Sequence, residues 1–302
     1  MIKFSIIIPH YNSVESLEKL LESIDFHEDV EVIVIDDKSN KNVDEYLQSQ
    51  RKYKNVALFL DNDTDQKGAG VCRNIGVRQS TGKWLLFADA DDLFLPGWYD
   101  AVQSYYESKA DVIFFSPTSK VDNKNGKRHV KYARLVDDYI DKRKDSEVRL
   151  RLQFFPPWSK LIRKVFLTSK EIEFDETLYS NDVMFSTKIG FYASSVVATN
   201  CEIYCVIDKA GTLTKNKSFD AFYIRNEVLC RVYDFLRDQL TTKQFRESYI
   251  RNAPIVNIYN ALKNRYGIWN IGRLFSLYRS HNIPIITSGA FNLKKVKGFL
   301  QQ

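Results

Sequence analysis

Lys3-Phe4-Ser5-Ile6-Ile7-Ile8-Pro9 is an isoleucine-rich run that stands almost at the start of the chain. A short apolar run bounded by turn-forming residues is typical of a strand that is buried on both faces of a sheet. Asn12 and Ser13 follow it, and Glu15 stands at capping-box spacing from Asn12. These residues predict that an amphipathic helix begins directly after the strand.

Strands and helices continue to alternate beyond this first pair. The predicted strands are residues 30–35, 56–60, 84–88 and 112–115, and the predicted helices are residues 44–51, residues 71–79 and a helix that runs from Gly97 through Tyr105. This order predicts right-handed βαβ units, and therefore an α/β fold with a Rossmann-like, mainly parallel sheet flanked by helices. Residues 116–145 are polar and charge-rich, and we expect a solvated loop or an excursion from the fold there.

Carboxylates follow two of the predicted strands directly. They are Asp36, Asp37, Asp89, Asp91 and Asp92. Because α/β sheets bind ligands at the carboxyl ends of their parallel strands, we expect these side chains at one site. The pair Asp36-Asp37 alone is also explained by turn chemistry, or by the acidic pair of a receiver-type phosphoacceptor pocket, which normally follows the first strand instead.

The cluster Asp89-x-Asp91-Asp92 is the more informative signal. Three carboxylates beside an apolar strand resist burial unless a cation or a polar ligand compensates their charge. Mg²⁺ and similar hard cations take one or two protein carboxylates and complete their shell with substrate phosphates. A turn also explains Asp-x-Asp, which occurs often by chance. The phosphate-binding loops that would compete are absent, since Gly68-Ala69-Gly70 is followed by Arg73 where G-x-G-x-x-G needs glycine.

The composition excludes several classes of protein. The chain has 302 residues, of which 44% are hydrophobic and 27% charged, as in an ordinary globular protein. Its apolar stretches are far shorter than the roughly 18 residues of a membrane span, and its first residues lack signal-peptide architecture, so we expect a cytoplasmic protein. The four scattered cysteines predict reduced, packed thiols rather than a disulfide framework or a zinc site.

Positive charge is concentrated towards the C-terminus. From Ser218 onward the chain carries 13 Lys/Arg against 5 Asp/Glu, whereas the whole chain has a net charge of only +6. Apolar residues at helical spacing, such as Val228, Val232 and Leu236, predict a mostly helical region here. A basic face of this kind has anionic lipid, phosphate or nucleic acid as its candidate partners.

Four sequence blocks follow one another in order. They are SIIIPHYN (residues 5–12), VIVIDDKS (32–39), GVCRNIG (70–76) and TGKWLLFADADD (81–92). Together, at this spacing, they resemble the family 2 glycosyltransferases with the GT-A fold. The resemblance covers residues 1–115 and continues more loosely through residues 157–161 and 172–176 to Asn181-Asp182, where the family usually has Glu-Asp.

The resemblance implies transfer of a sugar from a nucleoside-diphosphate sugar, with a UDP-sugar as the expected donor, and with inversion at the anomeric carbon. It implies that Asp91 holds Mn²⁺ or Mg²⁺, with Asp89 near the metal or the ribose, and that the cation offsets charge on the departing diphosphate. It further implies that Asp182 accepts the proton of the acceptor hydroxyl. The departure at Asn181 changes the neighbour of this base.

By the same resemblance, Pro9, Tyr11 and Asp37 contact the nucleoside, Tyr11 by stacking and Asp37 by accepting from a base N–H. Asp92 and Trp158 face the acceptor, since aromatic rings suit the apolar faces of sugars. A tryptophan after two prolines is equally explained as core, and both interpretations of Trp158 stay open. The expected acceptor is a glycan or a lipid-linked molecule in the synthesis of bacterial surface polysaccharide.

We therefore expect a catalytic domain over residues 1–217, with a nucleotide-sugar half (1–115) and an acceptor half (116–217), and a helical, basic C-terminal region over residues 218–302. That region packs on the catalytic domain or meets an anionic membrane surface, through residues that include Lys294, Lys295 and Lys297. We expect no nucleic acid as partner, and the sequence leaves the oligomeric state open.

Two other classes of function remain as alternatives. A nucleotidyltransferase also uses carboxylates and a metal, but it would show a phosphate-binding loop rich in Gly, Arg and Lys near its N-terminus, which this chain lacks. A module that binds a sugar nucleotide or a partner without catalysis would follow if Asn181 marked a decayed active site. Metal-dependent hydrolysis of the donor would distinguish the enzyme from the module.

Overall fold

The structure is a computed structural model and describes residues 1–121, 124–208, 216–247 and 249–285. The chain divides into two compact units, residues 1–210 and residues 211–302. The first unit is an α/β unit, and the described part of the second is helical. The functional division predicted after residue 217 stays a prediction.

The described strands form a single mixed sheet in the first unit. They are β1 (Phe4–His10), β2 (Val30–Asp36), β3 (Ala57–Asp61), β4 (Trp84–Phe87), β5 (Leu93–Phe94), β6 (Val112–Val121), β7 (Lys124–Asn125), β8 (Lys160–Arg163) and β9 (Val196–Ile207). Their order in the sheet is β3-β2-β1-β4-β8-β6-β9-β5, and β7 pairs with β6.

The described helices of the first unit are α1 (Val14–Glu22), α2 (Val43–Tyr53), α3 (Ala69–Gln79), α4 (Trp98–Gln103), α5 (Val130–Ile140), α6 (Ser146–Gln153), α7 (Lys164–Ser169) and α8 (Asn181–Tyr192). Those of the second unit are α9 (Phe219–Gln239), α10 (Thr242–Glu247), α11 (Ala253–Lys263) and α12 (Ile268–Ser280), with a 3₁₀ helix at Tyr249–Asn252. Within the part of the chain that the structure describes, no helix is both long and apolar enough to cross a membrane.

The parallel pairing of β1, β2, β3 and β4 determines where the site lies. Pro9 is in register with Ile35, and Ile7 with Phe87, so the carboxyl ends of these strands lie at one edge of the sheet. Beyond β4 the sheet is mixed, because β8 is antiparallel to β4 and to β6 while β9 is parallel to β6. The α/β fold class is confirmed.

Close packing of α3 on the sheet brings its polar residues to that edge. A Cβ atom added at Gly76 would lie 2.4 Å from Cγ2 of Ile7, so only glycine lets the helix approach β1 so closely. At the start of the same helix, a Cβ atom at Gly70 would lie 2.2 Å from the carbonyl oxygen of Asp175. The helix is thereby fixed between β1 and the segment before α8.

Two local predictions were wrong. The solvated loop predicted over residues 116–145 contains the second half of β6 and the helix α5, which buries Leu135 and Val136 against the sheet although its exposed face is highly charged. The capping box at Asn12 does not form, because Asn12 has a φ of 50° and its Oδ1 accepts hydrogen bonds from the backbone N–H groups of Asn40 and Lys41. Tertiary contacts outweighed local pattern in both places.

Candidate active site

Arg73 of α3 joins the acidic cluster to the start of α8. Its Nη2 donates to Oδ1 of Asp89 at 2.5 Å, and its Nη1 donates to Oδ1 of Asn181 at 2.8 Å. The side chain is buried, and its guanidinium carbon lies 5.2 Å from the ring centre of Phe174. Within the described residues its Nε has no hydrogen-bond partner. The two sequence blocks that carry Asp89 and Asn181-Asp182 therefore meet at one guanidinium group.

Asp182 lies in the first turn of α8 and is partly buried. Burial raises the pKa of its carboxyl group, and the charge of Asp89 raises it further, whereas the cations Arg73 and Lys160 oppose this shift. The pKa remains above its usual range. A carboxylate with a raised pKa is a better proton acceptor than an ordinary surface aspartate, which suits the role of general base.

Asp92 is the buried member of the acidic cluster, with 2% of its surface exposed. Its carboxylate accepts hydrogen bonds from the hydroxyl of Tyr204 at 3.0 Å and from the backbone N–H of Ile207 at 2.8 Å. Burial raises the pKa of Asp92 well above its usual range, and the charges of Asp89 and Asp91 add to the rise. Its role in acceptor binding stays a prediction.

Negative charge is therefore concentrated at Asp89, Asp91 and Asp92. Asp89 and Asp91 are partly exposed, so both can reach a ligand from the edge of the sheet. The hydroxyl of Tyr204 accepts from the backbone N–H of Asp89 at 2.8 Å while it donates to Asp92. This one hydroxyl holds two members of the cluster in place.

The acidic pair after β2 divides into two roles. Asp36 accepts from His10 Nδ1 at 2.7 Å and from both the N–H and the hydroxyl of Ser39. Burial alone would raise the pKa of Asp36, but these hydrogen bonds outweigh it and the pKa is lowered. Asp36 thus stabilises the turn after β2, as the turn interpretation predicts.

Asp37 organises the loop that precedes α3. Its Oδ1 accepts from Nδ2 of Asn62 and its Oδ2 accepts from the N–H of Gly68, each at 2.8 Å. Gly68 has a φ of 131°, which an L-residue rarely adopts. The thiol of Cys72 also donates a hydrogen bond to the carboxylate of Asp37, which still has capacity for one further ligand N–H. Pro9 lies near the carboxyl end of β1, at the same edge of the sheet. The ring of Tyr11 follows it and is exposed, with its centroid 5.2 Å from Nζ of Lys67.

Trp158 is packed among aromatic rings and is 4% exposed. Its ring stacks on Tyr204 with centroids 5.9 Å apart, and it meets Tyr132 edge to face at 5.5 Å. This arrangement agrees with the core interpretation, and contact with an acceptor stays a prediction. Through Tyr204 the ring nevertheless supports the residue that holds Asp89 and Asp92.

Sequence reasoning missed three functional candidates: Arg73, Tyr204 and Lys160. Lys160 on β8 is 1% exposed, and its Nζ donates to the carbonyl oxygen of Phe154 at 2.6 Å and to Oγ of Ser186 at 3.0 Å. Burial lowers the pKa of Lys160 to about 7, against the opposing charge of Asp182. The only sequence signal for these three residues is that each is a charged or polar residue next to small or apolar neighbours. Lys294, Lys295 and Lys297 lie outside the described residues.

The blocks and the fold agree with comparisons to known proteins. Residues 5–168, more than half of the chain, match the profile described as glycosyl transferase family 2. The chain is 31% identical over 215 residues to the Staphylococcus aureus poly(ribitol-phosphate) beta-N-acetylglucosaminyltransferase TarS, which covers 68% of this chain and 35% of TarS. The chain thus spans about a third of the length of that relative.

Two solved structures share the fold. S. aureus TarS 1–349 in complex with UDP-GlcNAc matches with a TM-score of 0.73 at 20% identity, over 98% of this chain and 88% of that one. The mannosyltransferase PcManGT from Pyrobaculum calidifontis, in complex with GDP-Man and Mn²⁺, matches with a TM-score of 0.57 at 16% identity, over 99% of this chain and 81% of that one. Because the family profile covers more than half of its residues, the chain belongs to glycosyl transferase family 2.

Proposed function

We propose that the chain transfers a sugar from a nucleoside-diphosphate sugar to a hydroxyl group of a glycan or lipid-linked acceptor, with inversion at the anomeric carbon. The observation that carries the proposal is the bridge from Asp89 through Arg73 to Asn181, the neighbour of Asp182. It ties a candidate diphosphate site to a candidate base. A UDP-sugar is the proposed donor, supported by the UDP-GlcNAc complex of TarS.

A divalent cation, Mn²⁺ or Mg²⁺, belongs to the proposal, with Asp91 and Asp89 as its protein ligands. Burial, and then the charges of Asp89 and Asp91, raise the pKa of Asp92; these three carboxyl groups therefore repel one another when ionised, and a dication would offset that repulsion. Within the described ranges, no three or more His, Cys, Asp or Glu side chains form a complete metal site. Two carboxylates still suit a cation whose other ligands are donor phosphates. Bound there, the cation would offset charge on the departing diphosphate.

Asp182 is the proposed base. As the acceptor oxygen forms its bond to the anomeric carbon, the bond from that carbon to the diphosphate breaks on the opposite face, and the hydroxyl proton passes to the carboxylate of Asp182. The raised pKa of Asp182 favours this proton transfer. Arg73 contributes by holding Asp89 and α8 at a fixed separation.

The nucleoside would lie across the carboxyl ends of β1 and β2. The exposed ring of Tyr11 offers a face for stacking on the base, and Pro9 borders the same place. Asp37 already accepts hydrogen bonds from Asn62, Gly68 and the thiol of Cys72 and retains the capacity to accept one base N–H. Uracil presents such an N–H group, which supports the choice of a UDP-sugar.

The acceptor is proposed to be a polymer or lipid-linked glycan of bacterial surface polysaccharide synthesis, with Asp92 and Trp158 on the acceptor side. The name of TarS, a poly(ribitol-phosphate) transferase, supports a surface polymer. The setting we propose is the cytoplasm at the inner face of the plasma membrane. Acidic residues are absent from positions 248–302 of the sequence, which supports contact with an anionic membrane there.

Two other functions receive less support. A nucleotidyltransferase would need a phosphate-binding loop near its N-terminus, whereas β1 leads into a turn that Asn12 and Asp36 fix. A binding module without catalysis would follow if Asn181 had removed the function of its neighbour. Arg73 still donates a hydrogen bond to Asn181, so asparagine in place of the family's usual Glu keeps Arg73 connected to the residue before Asp182.

The decisive experiment measures donor binding by calorimetry and by thermal shift, with UDP-sugars and GDP-sugars, with and without Mn²⁺. It compares the wild type with Asp91→Ala and with Asp137→Ala, whose aspartate is exposed on α5. We expect one nucleotide class to stabilise the wild type by about 3 kcal/mol at a hundred times its Kd, only when Mn²⁺ is present. Asp137→Ala should keep this stabilisation and Asp91→Ala should lose it.

Each result has a definite meaning. Binding that ignores Mn²⁺ and survives in Asp91→Ala would remove the metal assignment. A folded protein that binds none of these nucleotides would overturn the proposed function. Release of free sugar or of a glycosylated acceptor by the wild type, with Asp182→Asn inactive but still binding donor, would support catalysis over a binding module. Release of pyrophosphate would identify a nucleotidyltransferase instead.

A further inference from the structure

The turn between α11 and α12 exposes large apolar side chains. We call residues 262–269 the α11–α12 corner. Leu262 is 58% exposed, Ile268 is 77% exposed and Trp269 is 88% exposed. A tryptophan so fully in water beside two aliphatic residues is unusual, because each of them loses favourable burial. The corner therefore has the character of a surface that meets an apolar partner.

The exposed face of α12 continues this surface. Ile271, Leu274 and Tyr278 form the buried face of the helix. Phe275 lies two turns beyond Ile268, at the edge of the buried face, and is 45% exposed, whereas Trp269 lies opposite the buried face. A helix that exposes a tryptophan opposite its buried face and aliphatic and aromatic residues at the edge of that face is typical of contact with a membrane interface.

The charged residues of the corner and of α12 all have the same sign. Lys263 and Arg265 are exposed within it, and Arg279 is exposed further along α12. Positions 248–302 of the sequence contain no aspartate or glutamate. The corner can therefore attract an anionic surface without competing carboxylates in its own segment.

We propose that the α11–α12 corner inserts Ile268 and Trp269 into the headgroup region of an anionic lipid bilayer, with Lys263 and Arg265 at the lipid phosphates. The proposal deepens the proposed function, on which it rests for its purpose, because a lipid-linked acceptor is held at such a surface. A symmetric contact of the corner with itself in a second copy would bring these cations together, and residues 248–302 supply no acids to pair them. A soluble polyanion would satisfy the cations but leave Trp269 in water.

The tryptophans supply a direct test with the full-length chain. Trp84, Trp98 and Trp158 are buried, so acrylamide in solution quenches mainly Trp269. We expect vesicles of phosphatidylcholine with 30% phosphatidylglycerol to shift the emission to shorter wavelength and to protect it from acrylamide. Pure phosphatidylcholine vesicles should bind at least about tenfold more weakly, as expected when about two cations lose anionic partners. Donor and acceptor are absent from this assay.

Variants complete the test by vesicle flotation. Ile268→Ser with Trp269→Ser should reduce binding by at least about tenfold, whereas Val165→Ser, on a valine of α7 that is 65% exposed, should leave it unchanged. Lys263→Gln with Arg265→Gln should reduce binding to anionic vesicles, and Lys54→Gln with Lys109→Gln serves as the charge control. Asp91→Ala should float like the wild type, so failure of sugar transfer and failure of membrane binding are separable.

Several outcomes would overturn the proposal. These are absence of any change in Trp269 emission with anionic vesicles, and equal binding by the serine variant and the wild type. A shift to shorter wavelength that follows protein concentration without lipid would identify a second copy as the occupant. Protection by a soluble phosphodiester polymer but not by vesicles would identify a polyanion instead.

Discussion

Lys160 donates a hydrogen bond from Nζ to Oγ of Ser186, one helical turn beyond Asp182 on α8. Residues four apart lie on the same face of a helix, so the buried ammonium group of β8 lies beneath the candidate base. The hydroxyl of Ser186 in turn donates a hydrogen bond to the carbonyl oxygen of Phe155. A cation placed there favours the ionised form of Asp182.

Replacement of this lysine should change the pH profile of sugar transfer. In Lys160→Met the smaller of the two cationic contributions that lower the pKa of Asp182 is lost, while Arg73, Asp89 and the hydroxyl of Tyr132 still face it. Asp182 accepts a proton only when ionised, so activity falls as the pH falls through its pKa. We expect the acidic limb of kcat/KM to move to higher pH. Lys188→Met on the same helix should leave the limb in place, and an unmoved limb in a folded Lys160→Met would contradict this account.

Lys160 should also make stability depend on pH. Burial lowers its pKa from 10.5 to about 7 in the folded protein. Between these values the unfolded chain binds the proton and the folded chain does not, so the free energy of unfolding rises with pH in this window. We expect the wild type to gain roughly 3 kcal/mol relative to Lys160→Met from pH 7 to pH 10, measured by urea unfolding. If the free energies of unfolding of the two proteins changed with pH in parallel, the lowered pKa of Lys160 would be refuted.

Because Asn181 is neutral, the charge of Arg73 is balanced by Asp89 and not by the residue before Asp182. Arg73 now faces one carboxylate, Asp89, and one neutral amide oxygen. Asn181→Glu would add a negative charge beside Asp182, and like charges raise a carboxyl pKa. We expect the acidic limb of kcat/KM to move to higher pH in Asn181→Glu and to stay in place in Asn181→Gln, which adds length without charge. Identical shifts in both variants would point to a steric cause.

Much of the fold could be predicted because its signals are local. Each strand of the parallel block is a short apolar run, and each acidic pair or cluster follows such a run directly, so these signals predict Asp37 and Asp89 at one edge of the sheet. Parallel pairing then brings residues from distant positions together without further information.

The interior of the site could not be predicted in the same way. Arg73 lies 108 positions before Asn181, and Tyr204 lies 112 positions after Asp92, so no local pattern announces either contact. The helix α5 was also missed, because its buried stripe is short and is surrounded by charged residues. Such features depend on which segments the sheet order makes neighbours, and that order is set by the whole chain.

Gly70 controls the separation between α3 and the segment before α8. A Cβ atom there would lie 2.2 Å from the carbonyl oxygen of Asp175 and 3.0 Å from Cβ of Asn181, and a backbone atom cannot move aside cheaply. We expect Gly70→Ala to lower the free energy of unfolding by about 3 kcal/mol and to weaken donor binding. Gly272→Ala on α12 meets nothing within 4 Å and should stabilise by up to about 1 kcal/mol. Equal unfolding curves for Gly70→Ala and the wild type would mean that α3 can move away from the segment before α8 at no cost in stability.

Tyr204→Phe separates the positioning of the acidic cluster from its charge. The hydroxyl of Tyr204 accepts from the backbone N–H of Asp89 and donates to the buried carboxylate of Asp92, so its loss removes a partner from both. We expect the free energy of unfolding to fall by about 1 to 3 kcal/mol, because a buried polar group loses its hydrogen bond. The affinity for Mn²⁺ with donor should fall as well, although every carboxylate remains.

Tyr266→Phe is the matched control for Tyr204→Phe. The hydroxyl of Tyr266 donates to the carbonyl oxygen of Lys217 in the second unit, and its loss should leave that affinity unchanged. If Tyr204→Phe bound metal and donor like the wild type, the aspartates would be held by their own backbone alone, and the stack of Trp158 on Tyr204 would serve packing rather than the site.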